Sequence, residues 1–184
     1  LDSGRGPVSA CYHPAPEGAP VVIMVGGGDG GLDGPAGLYP LLVADLEAIG
    51  VGALRVDFRV HQFPGPLEEG VHDVLVALEY LATLGIERCG LLGHSFGGAV
   101  VIEAAIEARE DATSAPRAPH TEVASVATLA SQTAGAQRVA QVAPVPLLLV
   151  HGLDDIRLSP DCSRWLYAMA GEPRRLELLE GATH

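Results

Sequence analysis

Short apolar runs alternate with helical-period segments along most of this chain, and that alternation restricts it to a sheet layered with helices. Val21–Val25, Gly52–Phe58, Cys89–Leu92, Val123–Leu129, Val145–Val150 and, more weakly, Arg174–Leu179 read as strands. Continuous Val, Leu and Ile without a polar partner at every second position means that both faces of such strands are covered. Between them, Leu38–Ile49, Leu67–Leu84, Phe96–Arg109 and Ser159–Ala170 carry the spacing of amphipathic helices. The expected fold is α/β, a doubly wound and mostly parallel sheet, with Val8–His13 as an additional edge strand. At 184 residues the chain is long enough for one domain with a substantial core. Thr113–His120, with Pro116 and Pro119, reads as a surface loop. About 15 residues separate the strand ending at Leu129 from the next, which leaves room for one helix and none for a lid domain.

Charge and composition remove whole classes of function. Eleven basic residues, all arginine, face 23 acidic ones, for a net charge of −12. Nucleic acid is therefore not an expected partner, since phosphate binding needs clustered cations. No apolar run approaches the roughly 20 residues that span a bilayer, and no basic-then-apolar leader is visible, so no membrane association is expected. Cys11, Cys89 and Cys162 are widely separated and odd in number, which fits free thiols in a cytoplasmic, reducing setting. The histidines form no H-x-x-x-H or Cys/His cluster, so no metal is expected.

Gly93-His94-Ser95-Phe96-Gly97-Gly98 lies at the junction of the Cys89–Leu92 strand and the helix from Phe96. G-x-S-x-G alone is a weak signal; at a strand-to-helix junction it describes a tight elbow that exposes the serine hydroxyl at a helix N-terminus. Ser95 is the candidate nucleophile, with positive φ expected of it. A nucleophilic serine needs a base and an orienting acid. Leu153-Asp154-Asp155 emerges from the same sheet edge after the Val145–Val150 strand and offers two acids. His184 follows the last strand and offers the base. Cys89, within a strand, reads as an inert buried thiol, and His94 and His151 as packing or supporting residues.

The loop Gly26-Gly27-Gly28-Asp29-Gly30-Gly31 follows the strand Val21–Val25 directly. It has neither the lysine of a phosphate-cradling loop nor the spacing of a dinucleotide-binding one. Together with GHSFGG, PLLLVHGLDD and the terminal GATH, it makes nearly the whole chain resemble the α/β-hydrolase superfamily, in particular lidless esterases and dienelactone-hydrolase-like members. The order serine, acid, histidine is that of the superfamily. The resemblance implies Asp155 as the acid, being the third residue after His151-Gly152, with Asp154 the alternative. It also implies an oxyanion hole from the N–H groups of Gly28 and Phe96, with Asp29 replacing Gly28 if the register differs by one. Gly26 stands where the superfamily usually has His. The resemblance further implies a helix beyond the catalytic histidine, so one domain over residues 1–184 lacking that helix is expected.

The implied activity is cleavage of small-molecule carboxylic esters of short to medium acyl chain through an acyl-enzyme, with no cofactor. Other acyl transfers on the same triad (thioesterase, peptidase, perhydrolase) and a catalytically silent binding protein are the alternatives. Oligomeric state is not readable from these residues.

Overall fold

A computed structural model describes residues 1–62, 64–114 and 120–184. Among them are seven strands in one sheet, in spatial order β1-β3-β2-β4-β5-β6-β7. They are β1 (Ser9–His13), β2 (Val21–Val25), β3 (Gly52–Asp57), β4 (Arg88–His94), β5 (Glu122–Leu129), β6 (Leu147–Gly152) and β7 (Arg174–Leu179). All neighbours are parallel except β1, which pairs antiparallel with β3 at the edge. The helices are α1 (Leu38–Ala48), α2 (Leu67–Thr83), α3 (Phe96–Ser114) and α4 (Asp161–Met169). The expected fold class is the one found: α/β with a mostly parallel sheet.

The winding is lopsided. Val71, Val74, Ala77, Leu78 and Leu81 of α2, Val100, Val101, Ile102, Ala104, Ala105 and Ile106 of α3 and Leu166 of α4 join one core with Ile23, Leu91, Val126 and Leu149 of the sheet. On the opposite face α1 packs Tyr39 and Val43 on Met24, Ala53 and Leu92 in a smaller cluster. There Leu148 and Val150 of β6 stay half-buried, although their sequence reads as covered on both faces. Helix α3 is buried nearly all round over Ala99–Ile106, because the sheet lies on one side and α2 and a 3-10 turn (Val139–Val142) flank the other.

Helix limits follow local chemistry. Glu68 and Glu69 in the first turn of α2 favour its positive end. Gly85, at φ +76°, takes the left-handed position just beyond its C-cap, Leu84. The expected end of α3 at Arg109 is too early. No glycine or proline interrupts 110–114, so the helix continues to Ser114, two residues before Pro116. The expected loop over Thr113–His120 thus begins as helix, and its residues 115–119 lie outside the described residues.

Between β5 and β6 only the 3-10 turn Val139–Val142 is ordered as helix. Arg109 fixes that turn to α3 by donating to the carbonyls of Gln141, Val142 and Ala143. Among the described residues no helix is long and apolar enough to cross a membrane.

Candidate active site

The sheet delivers its chemistry at the carboxyl ends of β4, β6 and β7, as expected for parallel strands wound in this way. Strand β4 ends at His94, α3 begins at Phe96, and Ser95 alone makes the turn with φ 57°. That left-handed conformation is costly for a non-glycine residue and persists only when its surroundings fix it. Here they do: the N–H of Ser95 donates to the carbonyl of Leu129 at 2.9 Å, and its carbonyl accepts from Gly98 N–H at 3.1 Å. The flanking glycines are sterically required. A Cβ on Gly93 would lie 2.0 Å from the Gly97 carbonyl oxygen, and one on Gly97 would lie 2.2 Å from that of Gly26. The second approach also draws the glycine-rich loop against the start of α3.

The acid comes from the turn after β6. Asp155 is 7% exposed, whereas Asp154 is exposed. Asp155 Oδ1 accepts the backbone N–H groups of Arg157 (2.8 Å) and Leu158 (3.0 Å). Its Oδ2 accepts the Nδ1–H of His184 at 2.7 Å. Burial pushes the Asp155 carboxyl upward, but the Leu158 N–H, the His184 ring and the Arg157 N–H together hold it below the usual carboxylate range.

His184 is brought in by the β6–β7 pair. Leu153 N–H donates to the Leu179 carbonyl and Asp154 N–H to that of Ala182, while Gly152 packs so closely that a Cβ would meet the Ala182 oxygen at 2.2 Å. The other ring nitrogen, Nε2, then lies 3.1 Å from Ser95 Oγ. The three residues expected to act together therefore form one hydrogen-bonded chain. Of the two acids, Asp155 is the one that reaches the imidazole.

The glycine-rich loop lies over the serine. Gly27 is its nearest point: a Cβ there would stand 3.5 Å from both Ser95 Cβ and His94 Nδ1. Gly28, the expected oxyanion donor, faces the carbonyl of Gln62 at 3.4 Å from its absent Cβ. Asp57 Oδ1 anchors this loop by accepting Gly31 N–H at 2.6 Å, and His61 Nε2 lies 2.7 Å from the same oxygen. The stretch after β3 that carries His61 and Gln62 is in turn pinned to α2. There the buried Asp73 takes both the backbone N–H and the Nε–H of Arg59. Sequence reasoning missed this wall, because nothing local ties Asp57, Arg59 or Gln62 to a serine nearly 40 residues further on.

Two further histidines and one thiol lie buried within the sheet and its strand ends. His94 and His151 are buried, at 8% and 1% exposure. Cys89 is fully buried, and that burial pushes its thiol up to about 12, an unreactive setting. Among the described residues no group of three or more His, Cys, Asp or Glu side chains is arranged to hold a metal ion.

A mostly parallel sheet carrying a strained serine between β4 and α3, with an acid after β6 and a histidine after β7, is the α/β-hydrolase fold, and this chain has it. Solved structures that resemble it include the dienelactone hydrolase of Anabaena variabilis (TM-score 0.81, 16% identity, covering 100% of this chain and 84% of that one). Est1E of Butyrivibrio proteoclasticus matches with TM-score 0.74 and 18% identity over 96% of this chain and 86% of its own. The monoacylglycerol lipase of Paleococcus ferrophilus matches with TM-score 0.68 and 18% identity over 97% and 91%. Among curated sequences, the uncharacterized protein YfhR of Escherichia coli (strain K12) is 33% identical over 110 residues, 53% of this chain and 38% of that protein. The match thus spans well under half of the relative's length. No family model matches the chain.

Proposed function

We propose that the chain is a serine hydrolase that cleaves carboxylic esters of short to medium acyl chain. The observation that carries the proposal is the continuous path from Ser95 Oγ through His184 to Asp155, at 3.1 and 2.7 Å, on a serine held at φ 57°. In this reading His184 Nε2 takes the proton as Ser95 Oγ attacks the ester carbonyl, and Asp155 keeps the opposite nitrogen protonated. The N–H groups of Gly28 and Phe96 receive the charge that develops on the carbonyl oxygen, each worth about 2.7–4 kcal/mol in the transition state. His184 returns its proton to the leaving alcohol, and water then releases the acid by the same path in reverse. None of these steps calls for a cofactor.

One observation favours esters over other acyl substrates. One protein similar in fold is named a dienelactone hydrolase, and Est1E, also similar in fold, has been seen with ferulic acid bound. The β5–β6 connection holds one 3-10 turn, so it inserts no domain that would cover the serine. The three cysteines are free, which suits a reducing compartment such as the cytoplasm.

Incubation with a fluorophosphonate probe, followed by intact-mass and peptide analysis, tests the proposal. One adduct on Ser95 is expected, together with p-nitrophenyl butyrate hydrolysis that vanishes in Ser95→Ala. An unlabelled Ser95 with no turnover would overturn the proposal in favour of a binding protein built on a hydrolase fold.

A further inference from the structure

Asp155 Oδ2 serves two imidazoles. Besides His184 Nδ1 at 2.7 Å, the Nε2 of His151 lies 3.2 Å from the same oxygen. His151 is the penultimate residue of β6 and is 1% exposed. Its Nε2 also lies 3.1 Å from the Leu158 carbonyl, and since both neighbours are acceptors, that nitrogen carries the hydrogen. Its Nδ1 lies 2.7 Å from Oγ of Ser163, a fully buried residue of α4 whose hydroxyl can donate. Both ring nitrogens are thus fixed, and the ring cannot turn without losing three contacts.

A carboxylate has about four acceptor positions, and at Asp155 four donors occupy them. The two on Oδ1 are backbone N–H groups, and they suffice to hold the carboxylate in its rotamer. His151 therefore is not needed to place the acid. Its distinct effect is at Oδ2, where a second donor draws negative charge away from the atom that faces His184. The other groups facing His184 and Asp155 are His94 at the end of β4, the Ser95 hydroxyl, and Arg157 in the turn after β6. None of these contacts Oδ2.

We infer that His151, oriented by Ser163, is a positioning residue that sets how much of the Asp155 charge reaches His184. The inference rests on the proposed triad for its meaning in catalysis, but the arrangement it concerns exists in the resting protein. With His151 present, Oδ2 turns less negative charge toward the His184 Nδ1–H than an unshared carboxylate would.

The test uses the full chain with His151→Leu and His151→Met, which lose the donor, and His151→Gln, whose amide nitrogen reaches the same place. The ring signals of His184 are followed by NMR from pH 5 to 9, alongside the pH dependence of kcat/KM for p-nitrophenyl butyrate. In the Leu and Met variants the His184 midpoint is expected to rise by about half to one pH unit, as for loss of a donor to a charged partner. The acid limb of kcat/KM should move with it, giving about a three- to tenfold loss well below the midpoint and little on the plateau. His151→Gln should restore both. Two variants guard against one failing to fold, which far-UV circular dichroism reports. An unchanged midpoint in folded His151→Leu or His151→Met, or an activity loss uniform in pH that Gln does not rescue, would overturn the inference. The NMR readout needs no turnover, so a chain that hydrolyses no ester would sink the proposed function and still decide this one.

Discussion

The imidazole of His94 lies 4.7 Å, centroid to centroid, from that of His184, with the two rings tilted by 59°. Two protonated imidazoles at this distance would repel, and the site avoids that by keeping one of them neutral. Burial, chiefly, and then the neighbouring His184 push His94 down to about 4. Its Nε2 is buried with no hydrogen-bond partner, which further disfavours a charged ring. His184 thus works beside an uncharged neighbour throughout the neutral range.

This arrangement makes stability depend on pH. Above the ordinary histidine range near 6.5 the ring is neutral in both the folded and unfolded chain, and its contribution is constant. As pH falls toward 4 the unfolded chain takes up the proton first, so the folded state loses stability, by about 3 kcal/mol in total for this residue. Urea unfolding at half-unit steps between pH 4 and 7 should show that slope. In His94→Gln the slope should be shallower by most of that amount, and equal slopes in the two proteins would contradict the assignment.

Asp154 and Asp155 differ in what they touch, and their variants should differ accordingly. Asp155 holds the Nδ1–H of His184, whereas the exposed Asp154 contributes its backbone N–H to Ala182. Asp155→Asn presents an amide where an acceptor is required and favours the wrong tautomer of His184. A fall in kcat of about 10⁴ is expected, from the behaviour of such triads in general. Asp154→Asn keeps its backbone contact and should stay within about 0.5 kcal/mol of the parent in stability, with kcat nearly unchanged. Steady-state kinetics on the pair decides it, and the reverse ranking would mean that the acid is misassigned.

Strain at the elbow predicts a trade between activity and stability. Ser95 at φ 57° stores about 1–3 kcal/mol that glycine would not. Ser95→Gly should therefore be inactive yet more stable to urea than Ser95→Ala, which keeps the strained Cβ. The two variants have equal loss of the hydroxyl, so the difference isolates the backbone. Ser95→Ala matching or exceeding Ser95→Gly in stability would show a relaxed turn.

Much of this was legible in the sequence because it is locally encoded. Val21–Val25 is a strand to the residue, since turn-forming Gly-Ala-Pro precedes it and a glycine loop follows. The elbow was legible because two glycines and a strand-to-helix switch coincide at one serine. Other features depend on distant contacts. Strands β4 and β6 each run two residues beyond their expected ends, to His94 and Gly152, because the neighbouring strands pair with them there. Which aspartate turns inward depends on the N–H groups of Arg157 and Leu158, and two adjacent carboxylates carry no mark of that. Gly27 lies by the serine because Gly26 and Gly97, 71 positions apart in the chain, approach closely, and Gln62 lies by Gly28 on a stretch that Arg59 ties to Asp73 of α2. Their chemistry is ordinary, and only the fold gives it a place.

The span from Ala130 to Pro146 makes a prediction about substrate size. Between β5 and β6 this stretch forms only the 3-10 turn Val139–Val142, which is held down on α3 by Arg109. Any acyl pocket must be walled by sheet-end loops, among them Gly28–Leu38 and Ser131–Gln137, and by the stretch after β3. Walls of that kind enclose the first few carbons of an acyl chain and leave later ones in water. Each methylene brought into an apolar pocket contributes about 0.8 kcal/mol, a factor of nearly four in kcat/KM, while those beyond the walls contribute almost nothing. For p-nitrophenyl esters, kcat/KM should therefore climb from acetate to about butyrate or hexanoate and then level off or decline. No jump is expected as the substrate passes its micellar concentration, because the β5–β6 connection provides no mobile cover to be displaced. Activity that keeps rising to palmitate, or that switches on at an interface, would require an enclosed channel or a moving cover that the ordered span from Ala130 to Pro146 does not supply.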